Sequence, residues 1–323
     1  MPSLARLAIL DDYQGATLRA GPWGRLPGLA TTVFQDTITD EDALVARLAP
    51  FDGILAMRER TPFQASLIGR LPDLRLLITT GERNRGIDAA ACAARGITFC
   101  GTSSFGAPTV EITWGLILNL MRGLPEHAAS LAGGGWQATL PGGGVGRTVE
   151  GKTLGIIGLG KLGTKVARVG AALGMQVVAW SQNLTDEAAA AAGATRVSKE
   201  ALLRQADVVT VHLILSDRSR GIVGAADLAL MQPGAVIINT SRGPLIDQPA
   251  LLEALHAGRI SAGLDVFDRE PIPDDHPLRT APNTLLYPHL GYVTDENFEK
   301  YFAGAVEAIE AWQAGAPIRV IAA

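Results

Sequence analysis

The stretch that most constrains this chain is residues 153–179, TLGIIGLGKLGTKVARVGAALGMQVVA. An apolar run at 154–157 leads into Gly158-Leu159-Gly160-Lys161-Leu162-Gly163. A segment with helical periodicity follows (Val166, Val169, Leu173), then a second apolar run at 177–180. GxGxxG alone is a weak signal. Set between a strand and a helix that returns to a second strand, it marks a dinucleotide site. Gly158 makes the tight turn, Gly160 lets the backbone approach a pyrophosphate, and Gly163 brings helix and strand together. Lys161 and Leu162 open the helix, whose N-terminal N–H groups and positive dipole end favour phosphate. All five are expected at the cofactor.

A chain of 323 residues holds about two domains. With 47% hydrophobic and 19% charged residues it has an ordinary globular composition. The net charge of −4 provides no basic field, so neither nucleic acid nor an anionic membrane is expected as a partner. The apolar start at 4–10 is too short for a signal peptide and runs into Asp11 and Asp12, so it reads as a first strand. No apolar run approaches the roughly 20 residues of a membrane span. Cys92 and Cys100 have neither disulfide-framework nor metal-ligand spacing, and no His/Cys/Asp/Glu grouping suggests a metal. The expectation is a cytoplasmic protein without a metal site.

Short apolar runs at 4–10, 31–34, 53–57, 75–79 and 97–100 alternate with helix-compatible stretches such as 40–48 and 88–95. A second series lies at 153–157, 176–180, 207–212, 235–239, 260–264 and 284–286, with an Ala-rich helix at 186–192. This alternation predicts α/β architecture with two doubly wound parallel sheets. Residues 101–108 read as a linker, 111–122 as a helix apolar on most faces, and 133–146 as a glycine-rich mobile arm carrying Trp136. A final amphipathic helix at 294–315 aligns Phe298, Phe302, Val306, Ile309 and Trp312. The expected domains are 1–104, with 294–323 returning to it, and 105–293. Two crossings of the chain suit hinge closure over a cleft between the domains. The apolar helix and the arm suggest a homodimer.

Three polar clusters lie just past strands of the second series: NTSRG at 239–243, DVFDREP at 265–271 and PHLG at 288–291. Ligands of open α/β sheets sit outside the carboxyl ends of the strands. The segments VIINTSRGPLID, GLDVFDREP and YPHLGY follow GIIGLGKLG, with TTGERNRGIDAAACAARGITFCGT and VEGKTLGIIGLG upstream. Together they resemble the D-isomer-specific 2-hydroxyacid dehydrogenase family over nearly the whole chain, and its phosphoglycerate-dehydrogenase-like branch in particular.

The resemblance implies a Rossmann-type cofactor domain at 105–293 and a flavodoxin-like substrate domain at 1–104. It implies NAD or NADP as cofactor and a small anionic 2-keto or 2-hydroxy acid as substrate, with hydride moving to or from the nicotinamide C4. His289 is then the proton donor and acceptor, a role imidazole can fill near neutral pH. Glu270 holds the imidazole in one tautomer and favours its protonated form. Arg242 offers a rigid fork to the substrate carboxylate and polarises the carbonyl, a geometry lysine cannot copy. Singly, an Arg after a strand, a Glu before Pro and a lone His are ordinary surface or filler residues. Together, behind a nucleotide fingerprint, they read as catalytic.

The same resemblance places Ser181, His212, Thr240, Ser241, Asp265 and Gly291 at the cofactor, although His212 serves equally well as a structural residue. It places the Gly81 backbone, Arg58 and Arg83 in an anion pocket for the substrate. Arg60 and Arg85 are equally well solvated surface residues. His276 is expected to be structural, and His127 and His256 solvated.

Two features depart from the family pattern. An NAD enzyme places Asp or Glu at the end of the second strand for the ribose 2′-OH. Here the strand runs into Trp180-Ser181-Gln182-Asn183, and the next acid is Asp186. NADP is thereby admitted, although no Arg stands beside Ser181 and the nearest downstream is Arg196. The stretch His212-Leu213-Ile214-Leu215-Ser216 also lacks the proline usual there. Glu270 argues against a formate dehydrogenase, whose His pairs with Gln. The alternative of another class is a non-enzymatic dinucleotide-sensing binding protein, against which the expected absence of long tails counts. No C-terminal regulatory domain is expected.

Overall fold

A computed structural model describes residues 3–140 and 144–322. Pro141, Gly142 and Gly143, in the arm read at 133–146, lie outside the described residues. The chain divides into two compact units, Met1–Phe105 with Val293–Ala323, and Gly106–Tyr292. Among the described residues each unit is built on one parallel sheet.

The first unit contains β1 (Arg6–Ile9), β2 (Ala30–Val33), β3 (Gly53–Ala56), β4 (Leu76–Thr79) and β5 (Thr98–Gly101). They lie in the order β2-β1-β3-β4-β5, every pair parallel. Both faces of the sheet are covered, so β3 and β4 are buried at every position and read as unbroken apolar runs rather than alternating ones. Helices Glu41–Leu48 and Ala89–Ala94 begin behind Asp40 and Asp88, whose carboxylates accept the N–H groups of Ala43 and Ala91. The long helix Asp295–Gln313, capped by Thr294, buries Phe298, Phe302, Val306, Ile309 and Trp312. Past it the chain forms an antiparallel bridge from Val320 to Cys100, and Ile321 N–H donates to Phe99 C=O at 2.8 Å. These contacts tie the C-terminal segment to β5.

The second unit contains β6 (Thr153–Ile157), β7 (Gln176–Trp180), β8 (Thr195–Arg196), β9 (Val208–Val211), β10 (Ala235–Asn239), β11 (Ile260–Leu264) and β12 (Thr284–Leu286). Their order is β12-β11-β10-β9-β6-β7-β8, so the strand order reverses between β6 and β9. That reversal is the switch point at which doubly wound sheets bind ligands. β8 was not foreseen, because two residues carry no period to read.

Helix Ala107–Arg122 starts inside the stretch expected to be linker. Pro108 lies in its first turn, where a missing N–H costs nothing. Its Trp114, Leu116 and Ile117 join Val236 and Ile238 of β10 in one buried cluster. Gly123, at φ 61°, ends this helix and starts an unforeseen one, Leu124–Ala132. No helix among the described residues is long and apolar enough to cross a membrane.

Candidate active site

Parallel strands end on one edge, and the second unit places its polar loops there. The glycine turn follows β6, Ser181 follows β7, His212 follows β9, Thr240–Gly243 follow β10, Asp265 and Glu270 follow β11, and His289 follows β12. Gly158 has φ 103°, and a Cβ there would sit 2.6 Å from the His212 carbonyl oxygen. A Cβ on Gly163 would lie 2.2 Å from the Gly158 carbonyl oxygen, so only glycine permits this helix–strand approach. At Gly160 a Cβ would meet nothing within 4 Å. Helix Lys161–Ala172 starts at Gly160 without a side-chain cap, so its first N–H groups and dipole end face that open space. A pyrophosphate fits this cradle. Ser181 Oγ accepts the Leu159 N–H at 3.0 Å, bracing the turn from β7.

His212 lies against the turn. Part of the residue reaches solvent, yet both ring nitrogens are buried and have no hydrogen-bond partner among the described residues. Burial pushes the imidazole down to a pKa of about 4, so the ring is neutral at physiological pH. Unpaired buried polar atoms are rare in native structures and call for an explanation such as a ligand.

Glu270 and His289 are joined. His289 Nδ1 donates to Glu270 Oε2 at 2.5 Å, and Glu270 Oε1 accepts the Phe267 N–H at 2.9 Å. With its proton on Nδ1 fixed by the carboxylate, imidazole exchanges protons at Nε2. His289 adopts φ 56°, the left-handed region that a non-glycine residue enters only when its surroundings impose it. Asp265 supplies that constraint, its two oxygens accepting the N–H groups of Leu290 (2.7 Å) and Gly291 (2.8 Å). Burial pushes the Asp265 carboxyl up to about 6, against the pull of the Leu290 N–H, His289 and the Gly291 N–H. Thr109 Oγ1 donates to the Gly291 carbonyl at 2.6 Å, and Tyr292 stacks edge-on to His289 with centroids 5.5 Å apart.

Arg242 stands on a braced loop. Asn239 Nδ2 donates to the Arg242 carbonyl at 2.8 Å, and Asn239 Oδ1 accepts the Ser241 N–H at 3.0 Å. Ser241 Oγ donates to the Val211 carbonyl, Thr240 pairs with Thr113 (both 2.8 Å), and Arg242 Nη1 donates to the Ser241 carbonyl at 2.7 Å. A Cβ on Gly243 would lie 2.2 Å from the Phe267 carbonyl carbon, so the loops after β10 and β11 press together there. Asn239, Gly243, Thr109, Thr113 and Tyr292 were not picked out as site residues. Asn239 and Gly243 flank Arg242 within the quoted motif, whereas the threonines come from a distant helix and carried no signal.

In the first unit Arg58 (φ 52°) and Gly81 (φ 96°) follow β3 and β4. A Cβ on Gly81 would sit 1.8 Å from Arg58 Nη1, so the guanidinium lies across the glycine. The Gly81 N–H, expected to face a substrate carboxylate, donates instead to Thr102 Oγ1 at 2.8 Å. Arg58 Nη1 donates to the Thr80 carbonyl at 3.3 Å. Arg83 is exposed.

Each of the remaining histidines makes a hydrogen bond within its own unit. His276 Nδ1 accepts the Leu278 N–H at 3.2 Å, and its Nε2 lies 3.0 Å from the Gln248 amide. His127, expected to be solvated, is half-buried and accepts the Ala138 N–H at 3.0 Å. His256 is exposed and hydrogen-bonded to the Leu252 carbonyl at 2.8 Å. No group of His, Cys, Asp and Glu that could hold a metal ion exists among the described residues.

Residues 114–291 match the family described as D-isomer specific 2-hydroxyacid dehydrogenase, NAD binding domain. The chain is 34% identical to the glyoxylate reductase of Aeropyrum pernix, over 77% of this chain and 76% of that one. It is 34% identical to the glycerate dehydrogenase of Methylorubrum extorquens, over 90% of this chain and 91% of that one. A crystal structure described as a phosphoglycerate oxidoreductase of Vibrio cholerae O395 superposes with a TM-score of 0.92 at 37% identity. That match covers 97% of this chain and 100% of the other.

Proposed function

Because the chain belongs to the D-isomer specific 2-hydroxyacid dehydrogenase family, oxidoreductases acting on a CH–OH group, we propose that it interconverts small 2-oxo and 2-hydroxy acids, with either NAD(H) or NADP(H). The observation that carries this reading is the His289–Glu270 contact of 2.5 Å, on the same sheet edge as the glycine turn. The nicotinamide cofactor, when bound, supplies or accepts the hydride. Gly158, Gly160 and Gly163, with Lys161 and Leu162, cradle its pyrophosphate, and Ser181, His212, Thr240, Ser241, Asp265 and Gly291 complete the cofactor side. Arg242 grips the substrate carboxylate and polarises the carbonyl. In reduction His289 Nε2 delivers a proton to the carbonyl oxygen, and in oxidation it takes that proton back. Glu270 holds the tautomer and stabilises the imidazolium. Arg58 and Arg83 are the substrate-anion residues of the first unit, and Gly81, its N–H held by Thr102, makes room for the Arg58 guanidinium.

Glyoxylate and hydroxypyruvate are the proposed substrates, since relatives of comparable length are a glyoxylate reductase and a glycerate dehydrogenase. The protein works in the cytoplasm as a homodimer. Leu124, Leu131, Trp136 and Val145 are exposed around a groove of about 500 Å³ in the second unit, an apolar surface that a second copy covers. Kinship with named reductases and dehydrogenases disfavours the non-enzymatic sensing alternative.

The test follows loss of NADH or NADPH absorbance with glyoxylate or hydroxypyruvate. His289→Ala is expected to lower kcat by about 10²–10⁴-fold while leaving cofactor affinity near wild type. Undiminished turnover would sink the proton-transfer assignment.

A further inference from the structure

The glycine turn receives a diphosphate whatever the ribose carries; the ribose 2′ position is read beyond β7. An acid at that strand end holds the 2′-OH and repels a 2′-phosphate. Here the position is Ser181, whose Oγ is turned back onto the Leu159 N–H at 3.0 Å. The Ser181 carbonyl accepts the Leu184 N–H at 3.1 Å, and this turn leads the chain into helix Asp186–Ala191. The chain then returns as β8, pairing Arg196 with Ala179 of β7.

Neighbouring strands lie about 4.8 Å apart, so Arg196 starts one strand away from Ser181 and slightly behind it. Its Nη1 lies 3.3 Å from Oδ1 of Asp186, the first residue of the helix that follows the Ser181 turn. Glu187 also interacts with the Arg196 charge. A guanidinium and its competing carboxylates thus stand beside the turn that lacks the discriminating acid.

We propose that the Arg196–Asp186 pair is the cofactor selector of this chain: Arg196 is the ligand for a 2′-phosphate, and Asp186 competes with that phosphate for it. The inference rests on the glycine turn being a dinucleotide site. An exposed ion pair is weak, and a phosphate offers Arg a more highly charged, bidentate partner. The pair opens for NADP(H) and stays closed with NAD(H), so both cofactors are accepted. The side chains are 49% and 77% exposed, so substituting either leaves the fold intact.

Adenosine 2′,5′-bisphosphate and 5′-AMP separate the two ideas, because each binds without turnover. Both are titrated calorimetrically into the full chain and into Arg196→Gln and Asp186→Asn. The expected result is that R196Q weakens the bisphosphate by roughly tenfold and leaves 5′-AMP unchanged, while D186N tightens the bisphosphate alone. Bisphosphate affinity insensitive to R196Q, with 5′-AMP still bound, overturns the selector and spares the dinucleotide site. Failure of the wild type to bind either nucleotide overturns both.

Discussion

Asp265 and His212, whose titrating atoms are buried on one sheet edge, carry opposite pH signatures. Burial holds Asp265 near 6, above the ~3.9 of an unfolded chain. The stability linked to its bound proton is complete below about pH 4 and is lost as pH rises through about 6. Burial holds His212 near 4, below the ~6.5 of an unfolded chain. The stability linked to its neutral form is complete above about pH 6.5 and is lost as pH falls through about 4. Urea unfolding at several pH values separates them. Relative to wild type, Asp265→Asn should gain up to about 3 kcal/mol between pH 4 and 6.5, superimposed on a constant loss from weakened N–H acceptance. His212→Gln should lose a similar amount relative to wild type over the same window. Curves parallel to wild type would contradict both assignments.

Loops positioned by neighbouring strands make the site, and Gly243 is where two of them touch. The loop after β10 carries Arg242, and the loop after β11 carries Phe267 and Glu270. Their approach leaves no room for a methyl group, since a Cβ on Gly243 would overlap the Phe267 backbone. Gly243→Ala must therefore part the loops. It should destabilise the protein by about 2 kcal/mol and lower kcat/KM at least roughly tenfold through misplaced Arg242 and Glu270. Unchanged thermal stability and kinetics would show that the loops are not mutually constrained. Element positions were legible wherever burial on both faces made a continuous apolar run, as in β3, β4 and β10. Helix Leu124–Ala132 was not, because its sequence follows a glycine and has an early proline, a pattern that also suits a loop.

For the molecule as a whole, the chain order is itself informative. The first unit is discontinuous, its C-terminal segment returning to β5 after the second unit is complete. In the second unit Trp136 is 76% exposed and Val145 85%, beside Leu124 and Leu131. If this apolar surface pairs two copies as proposed, light scattering at micromolar concentration should give the mass of a dimer, and Trp136→Glu should shift the population toward monomer by placing a charge in that surface. A wild-type monomer at that concentration would contradict the assembly.

The sequence by itself determined the α/β class, the family and the strand positions other than β8, because glycine spacing and apolar runs are local consequences of backbone geometry and burial. It also marked Arg242, Glu270 and His289 as candidates, and each follows a strand of the second sheet. The tertiary structure alone decided what each side chain does with its neighbours. Asp265 clamps the His289 loop because β11 and β12 are adjacent, and Arg58 lies over Gly81 because β3 and β4 are. His127 is bound to Ala138, and the Gly81 N–H turns to Thr102. The Asp265 and Arg58 contacts follow from strand order and register, which arise from long-range packing and leave no mark on any single stretch of sequence.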